Sequence, residues 1–380
     1  MKIIAADLSM TGLSHLYFNT AFLKVLNNMY NQPVLFWCEE EHGKAVISSC
    51  KEINVEIKTF ESKTYNGVSV FFQDFLQIMR VSSLLFFARK EDQIYILNRL
   101  PFTLLWCNLI NLFFRRNICN ILHGELEYLV NPQTNGGTKY YYQIFRLAYK
   151  LSISKSKYLF LGESIKRIAF NKGISFGKAT LLSIDHPYEY PQIHHDKCMH
   201  LFNPKCSIGI IGSAMIRKNS HYLEELSNLI NRTDISFVIT GKVEPFFEKF
   251  CIRNGIAYNK LTLNSEEYER MNLGLQYSLC FYDEKINLAL ASGSFFDSIK
   301  YCKPLLALKG NPYIDYYFEK LGNIGYRFNS IKEMSEFING LSDKETSNYD
   351  SQVASLRDAQ LVLSIESISN RLLNELKVLV

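Results

Sequence analysis

Four stretches of this chain carry residues whose types and spacing suit phosphate chemistry. The most telling is Ala291-Ser292-Gly293-Ser294-Phe295-Phe296-Asp297. Small residues precede a helical pattern that opens near Ser294. Free backbone N–H groups and the positive end of the helix dipole therefore meet two serine hydroxyls, a ready site for an anion such as a diphosphate. Asp297 falls one turn further in, where a carboxylate can accept hydrogen bonds from a ribose. Plain capping, with Ser294 as N-cap and Asp297 as a first-turn acid, uses the same residues and is compatible with binding. Upstream, Gly209-Ile210-Ile211-Gly212-Ser213-Ala214-Met215-Ile216-Arg217-Lys218 ends an apolar strand at Gly212 and delivers two cations in a short polar loop. Such cations either neutralise a diphosphate or solvate a turn. Phe237-Val238-Ile239-Thr240-Gly241 ends a second strand in a glycine, which lets a ligand approach the backbone.

In the first half the strongest cluster is Ile121-Leu122-His123-Gly124-Glu125-Leu126-Glu127. A strand delivers a histidine and two carboxylates at its carboxyl end, and Gly124 permits a sharp turn. His123, Glu125 or Glu127 can act as general base on a hydroxyl, or His123 can hydrogen-bond a sugar. The bland alternative is a half-buried histidine beside surface acids. His194-His195-Asp196-Lys197-Cys198-Met199-His200 offers ligand types for zinc, but it lacks a second paired set at finger spacing, so no metal is expected.

These residues need a scaffold that ends strands at loops. Lys2 to Asp7 reads as a strand, followed by a loop and a helix from about Ser14 to Tyr30. Strands follow at 33–37 and 55–58, and short apolar runs at Ile94–Leu97, Ile118–Leu122 and Tyr158–Leu161 alternate with helical patterns over 67–81, 100–114 and 139–152. Proline and histidine at 187–205 interrupt the rhythm. Beyond it come strands at 206–211, 235–240, 278–282 and 304–308, with helices at 218–231, 244–253, 265–273 and from Ser294. Apolar strands alternating with helices imply parallel sheets covered on both faces. Two doubly wound, Rossmann-like α/β domains are expected: 1–187, a linker 188–205, and 206–345. A closing helix over 346–380 is expected to pack back on domain one. Ligands belong at the carboxyl ends of the strands.

With these motifs in place, the second half resembles the GT-B glycosyltransferases, in particular the bacterial group with a Glu-x7-Glu motif. Lys218 matches the family lysine, Ser213 stands at the arginine position with Arg217 as its substitute, and Asp297-Ser298-Ile299-Lys300-Tyr301-Cys302-Lys303-Pro304 aligns with the segment of the second Glu. Leu263 to Tyr268 looks like the stretch after the nucleotide-base pocket. The resemblance implies two domains facing across a cleft and a nucleoside-diphosphate sugar as co-substrate, with no metal. Donor contacts would come from Gly212, Ser213, Arg217, Lys218, Gly241, Ser292, Gly293, Ser294 and Asp297. The loop after the first strand, with Asp7, Thr11, Gly12 and His15, matches the family's acceptor loop. One departure is Ala289, eight residues before Asp297, where the first Glu would sit; it favours inversion with Glu125 as base. The expected reaction is transfer of a sugar to a hydroxyl of a lipid-linked bacterial surface polysaccharide intermediate. Rivals are an inactive GT-B-like partner subunit and a sugar-nucleotide epimerase of related fold.

Size and composition agree with this frame. A chain of 380 residues, 47% hydrophobic and 21% charged, is globular and long enough for two domains. Nine scattered cysteines and no visible leader point to reduced thiols in the cytoplasm. Residues 80–178 carry 15 basic against 5 acidic side chains. Arg115, Arg116, Arg146, Lys150, Lys155 and Lys157 interleave there with Phe113, Phe114, Tyr140–Tyr142, Phe145 and Tyr149. Nucleic acid can accept such a face, but the inner face of an anionic membrane fits better and a peripheral location is expected.

Overall fold

The apolar run Ile3-Ile4-Ala5-Ala6 is too short for a helix, and it forms a fully buried strand, β1 (Ile3–Asp7). A strand buried on both faces needs cover on both. The chain supplies it by alternating strands with helices throughout. The computed structural model describes residues 1–50, 52–60, 69–131, 139–190, 206–259, 263–342 and 345–377. The expected linker from residue 191 onward, and the cluster His194–His200 within it, lie outside the described residues.

The chain divides into two units. The first comprises Met1–Glu189, Ala289–Ala291 and Leu363–Val380. After β1 it runs α1 (Leu16–Tyr30), β2 (Val34–Glu39), α2 (Glu40–Ser49), β3 (Val55–Phe60), α3 (Val70–Phe87), β4 (Gln93–Asn98) and α4 (Pro101–Phe114). It continues with β5 (Asn117–Leu122), α5 (Glu127–Val130), α6 (Lys139–Tyr142), α7 (Ile144–Lys150), β6 (Ser156–Leu161), α8 (Glu163–Asn171) and β7 (Thr180–Ile184). The seven strands pair in parallel in the order β3-β2-β1-β4-β5-β6-β7. One core cluster joins α1 to the sheet through Phe22, Leu26, Phe36 and Leu161; the other joins α3 and α4 to it through Leu84, Leu85, Ile94, Cys107 and Ile118.

The second unit, Tyr190–Leu288 and Ser292–Val362, begins with β8 (Cys206–Ile210) and a 3-10 turn at Ile216–Lys218. Then come α9 (Tyr222–Asn228), β9 (Ile235–Lys242), α10 (Pro245–Arg253), β10 (Ala257–Asn259), α11 (Ser265–Leu273), β11 (Tyr277–Cys280) and α12 (Gly293–Lys300). The unit closes with β12 (Leu305–Leu308), α13 (Pro312–Leu321), β13 (Gly325–Phe328), α14 (Ile331–Gly340) and α15 (Thr346–Val362). Its six strands are parallel in the order β10-β9-β8-β11-β12-β13. Two doubly wound sheets are thus present.

Several elements differ from the sequence reading, each for a local reason. The helix expected over 218–231 starts only at Tyr222, because Asn219 sits in the left-handed region at φ 54° and closes the 3-10 turn. The stretch 346–380 is two helices instead of one. Ser364 accepts the Ser367 N–H at 3.2 Å and so caps a new helix, α16 (Ile365–Lys377). That helix packs on α1 and β7 in the first unit, whereas α15 lies against α12 and α13 in the second. The helix read as 139–152 is split into α6 and α7, and α3 runs six residues past its expected end. The α2 and α8 helices and the β7 strand were not anticipated.

Candidate functional site

Both sheets reverse their strand order at one place, between β1 and β4 in the first unit and between β8 and β11 in the second. Loops leaving the carboxyl ends of strands on either side of such a reversal part, which opens a crevice. Of the residues singled out above, Asp7 to His15 leave β1, Gly212 to Lys218 leave β8 and Ser292 to Asp297 follow β11, whereas His123 to Glu127 follow β5 and Gly241 lies at the end of β9.

In the second unit the loop after β8 and the turn before α12 come together. Ser292 is the N-cap of α12, its Oγ accepting the Phe295 N–H at 3.3 Å. The remaining first-turn amides of a helix have no partner within it. Lys218 reaches this end, with Nζ 3.4 Å from Ser294 Oγ. The hydroxyls continue as a chain: Ser294 Oγ lies 3.4 Å from Ser292 Oγ, which lies 3.0 Å from the Tyr282 hydroxyl. A small pocket under the turn is lined by Ile211, Lys218, Ser220, Tyr282, Ser292 and Ser298. Gly293 is exposed, and a Cβ on it would meet no protein atom within 4 Å. Nothing in the packing requires a glycine there; its small size leaves the helix end clear.

The left-handed Gly212 (φ 78°) turns the chain away from the sheet, and its N–H donates to Thr240 Oγ1 at 3.1 Å. A side chain there would head for the Tyr268 hydroxyl and Ser294, so strand end, α11 and α12 converge. Asp297 lies one turn into α12, and its Oδ2 accepts the Tyr268 hydroxyl at 2.9 Å. Burial first, and then the adjacent Asp297 carboxylate, push the Tyr268 phenol far above its ordinary pKa, so it remains a donor. Not every expected contact joins this group. Arg217 is exposed and its Nε turns to Met215 Sδ at 3.3 Å. Gly241 is glycine for a different reason from the one expected: a Cβ there would come within 2.4 Å of the Gly212 carbonyl carbon, so what it admits is the neighbouring backbone. Ser213 stays in the loop between these two glycines.

In the first unit a buried polar network shapes the loop after β1. Asp7 is fully buried, and its carboxylate accepts the N–H groups of Ser9 (3.1 Å) and Met10 (3.0 Å) and Asn19 Nδ2 (2.8 Å). Asn19 Nδ2 also lies 2.8 Å from His42 Nε2, while His42 Nδ1 lies 2.7 Å from the Gly12 carbonyl. A carbonyl only accepts, so Nδ1 carries the proton and Nε2 receives the Asn19 N–H. Glu39 caps α2 and accepts Gly12 N–H at 3.3 Å. Asp7 and Gly12 therefore hold the loop, whereas Thr11 and His15 are exposed on it.

His15, His123 and His186 cluster beside Phe18. The His15 and His123 rings are 4.6 Å apart, His123 and His186 5.3 Å, and Phe18 lies 4.0 Å from His123. Desolvation lowers all three pKa values, even that of His15, whose side chain is exposed but whose ring lies against His123; for His123, repulsion from the other two adds to it, and His186 falls to about 4. The cluster is neutral at pH 7 and offers hydrogen bonds rather than charge.

Glu125 and Glu127, the candidate bases of the sequence reading, both take part in buried polar contacts. Glu125 pairs with the buried Arg99 at 2.9 Å and accepts the His123 N–H at 2.8 Å, while Arg99 donates to the Ile121 carbonyl at 2.8 Å. Burial raises the Glu125 pKa and Arg99 opposes it. Glu127 is buried at the start of α5 and accepts Asn131 Nδ2 at 3.3 Å. The sequence reading missed Tyr282, Asn19, His42, His186 and Arg99, and named Tyr268 only as the end of the stretch after the nucleotide-base pocket. His42 and Arg99 do follow strand ends, which is the one signal that pointed to them.

Compared with known proteins, the chain matches no protein-family model and no curated protein. It matches solved structures along its whole length. HepE from Anabaena, solved in complex with UDP, superposes with a TM-score of 0.69 at 12% identity, covering 100% of both chains. WaaG, a glycosyltransferase involved in lipopolysaccharide biosynthesis, gives 0.65 at 14% identity over 98% of this chain and 99% of that one. TarM from S. aureus, in a complex that includes UDP, gives 0.68 at 10% identity over 99% of each.

Proposed function

The chain has the GT-B fold, and we propose that it transfers a glycosyl group from a nucleoside-diphosphate sugar to a hydroxyl of a lipid-linked bacterial surface polysaccharide intermediate. The observation that carries this reading is the approach of Lys218 Nζ to Ser294 Oγ at the open end of α12, with Asp297 one turn in. Transfer breaks the bond from the sugar's anomeric carbon to the diphosphate and forms one to the acceptor oxygen, whose proton leaves. Negative charge develops on the departing diphosphate. A lysine and preorganised amides stabilise that charge without having to reorganise.

The Ser292 and Ser294 hydroxyls would donate to phosphate oxygens, and Asp297 would accept from the ribose. His123, held neutral, suits a hydrogen bond to a sugar hydroxyl better than proton removal, because a base so depressed in pKa is weak. His15 and Thr11, on the braced loop, belong to the acceptor side of this reading. Structures of similar fold that hold UDP, and one of HepE with UDP-glucose, support a nucleotide-sugar donor.

Thermal shift with UDP-, GDP- and TDP-sugars tests the reading. One donor class should raise Tm and the others should not; no response to any of them removes it. Release of the nucleoside diphosphate only with acceptor present separates transfer from epimerisation, and binding without release in either condition marks an inactive partner subunit.

A further inference from the structure

Helices α3 and α4 of the first unit carry apolar groups on their outward faces as well as towards the sheet. Beside the core-facing Val81, Leu84, Leu85, Leu104 and Cys107, the polar side chains of Asp74 and Gln77 in α3 and of Thr103, Asn108 and Asn111 in α4 are buried. They serve the neighbouring helix ends. Asp74 accepts the N–H groups of Phe102 (2.8 Å) and Thr103 (2.7 Å) and the Tyr141 hydroxyl (2.6 Å), and Gln77 Oε1 accepts the Leu100 N–H at 2.9 Å. This capping from another helix replaces the cap that Leu100 cannot give. The outward faces hold large apolar groups too. Phe71, Phe75, Met79 and Phe86 form a stripe on α3, and Phe102, Trp106, Leu109 and Phe113 form one on α4. Phe75 is 55% exposed and Phe113 86%. The outward face of a helix on a water-soluble surface is normally polar.

The two stripes are continuous. Trp106 Nε1 donates to Ser82 Oγ at 2.9 Å, and the Phe86 and Phe114 rings meet at 5.1 Å. The α3 helix is 18 residues long with mean hydropathy 1.3, which by length and composition alone could cross a membrane. It cannot do so as folded, because it is the crossover between β3 and β4 of a buried parallel sheet and packs along α4. A helix so fixed can only lie along an interface.

Charge identifies the interface. Helices α3, α4 and α7 pack side by side and contain one acidic residue, Asp74, which is buried. Because the strands are parallel, the connections leaving these helices all reach the amino ends of β4, β5 and β6, at one end of the sheet. Those connections and the last residue of α7 bear the exposed cations Arg89, Lys90, Arg115, Lys150 and Lys155, against the single exposed acid Glu91. An aromatic face bordered by cations at one end, with acids withdrawn, suits anionic lipid headgroups over an acyl boundary. The aromatic residues that the sequence placed in this face divide: Phe113 and Tyr140 are exposed, while Tyr141, Phe145 and Tyr149 are core.

We propose that the α3–α4 face inserts its aromatic stripes into the interfacial layer of an anionic bilayer. This stands apart from the transfer reaction and is tested without a sugar donor. The chain holds two tryptophans, Trp37, which is buried, and Trp106, 41% exposed within the α4 stripe. Trp106 is thus a built-in reporter. The full chain would be floated with vesicles of phosphatidylcholine alone and of phosphatidylcholine containing roughly one-third phosphatidylglycerol. Co-flotation with the anionic vesicles, a blue shift of the emission and quenching by lipids brominated near the glycerol end of the acyl chains are expected. Trp106→Phe should keep the binding and lose the shift. The exposed pair Phe75→Ser with Phe113→Ser should weaken partition at least about tenfold, a value set by the apolar surface withdrawn. Absence of binding to anionic vesicles at low salt would overturn the proposal. So would binding without a Trp106 shift, which is adsorption by charge alone. A concentration-dependent shift in the absence of lipid would assign the face to a second copy of the chain and overturn it equally.

Discussion

The Tyr268 hydroxyl and Asp297 Oδ2 are joined at 2.9 Å, from one helix to the next, across the open end of α12. The bond holds the carboxylate one turn into α12, where the proposed ribose contact falls. Asp297→Ala should weaken nucleotide-sugar binding at least about tenfold, since charge-assisted hydrogen bonds are the strong ones. Tyr268→Phe should cost only a few-fold, because it removes positioning and leaves the acceptor. Calorimetric titration of both variants checks this, and equal affinity in wild type and D297A would remove Asp297 from the site.

The two neighbouring cations in the loop after β8 are not equivalent. Lys218 faces Ser294, whereas Arg217 is exposed and turned to Met215. Lys218→Ala is expected to lower donor affinity about tenfold and to reduce its dependence on salt. Arg217→Ala should change affinity less than about threefold, as for a solvated cation. The reverse order would mean that the arginine swings in on binding.

Gly293 separates a ligand requirement from a folding one. An alanine there meets no protein atom and has higher helix propensity, so Gly293→Ala should be neutral or stabilising by a few tenths of a kcal/mol, roughly. If a diphosphate lies against the backbone, Gly293→Val should nevertheless lose donor binding while Tm in the absence of donor hardly moves. Retained binding in G293V would place the ligand elsewhere.

The Arg99–Glu125 pair predicts a fold defect. Glu125→Gln leaves a guanidinium buried without its counter-charge, which typically costs about 3 kcal/mol. Urea unfolding should show that loss, and replacing Arg99 with Met in the same chain should recover part of it. Full stability with abolished transfer in E125Q would return Glu125 to the role of base.

The histidine cluster predicts how stability changes with pH. His186 binds its proton at about 4 when folded, against 6.5 for an unperturbed histidine. Between those values the unfolded chain holds more protons, so this contribution is whole above pH 6.5 and is lost as pH falls towards 4. Between pH 7 and pH 5 the loss should be about 2 kcal/mol. His186→Gln should flatten that part of a urea-derived stability profile, and an unchanged slope would show that the ring is solvated.

Much of the architecture follows from sequence alone. Runs such as Ile3–Ala6 and Tyr158–Leu161 must be buried strands, and helical spacing between them forces parallel order with ligand loops at strand ends. The Ser292-Gly293-Ser294 turn was legible as a helix start, because small and hydroxyl residues there suit capping. Tertiary structure decided what each loop residue faces. Adjacent Arg217 and Lys218 share a 3-10 turn that Asn219 closes in the left-handed region, yet one side chain is exposed and the other reaches α12. Gly241 and Glu125 suggested ligand and catalysis in one dimension; in three they accommodate a neighbouring backbone and a buried arginine. Asp74 and Phe75 show the same limit. Composition alone says that α3 is apolar, but only packing against α4 turns the acid inward and the ring outward.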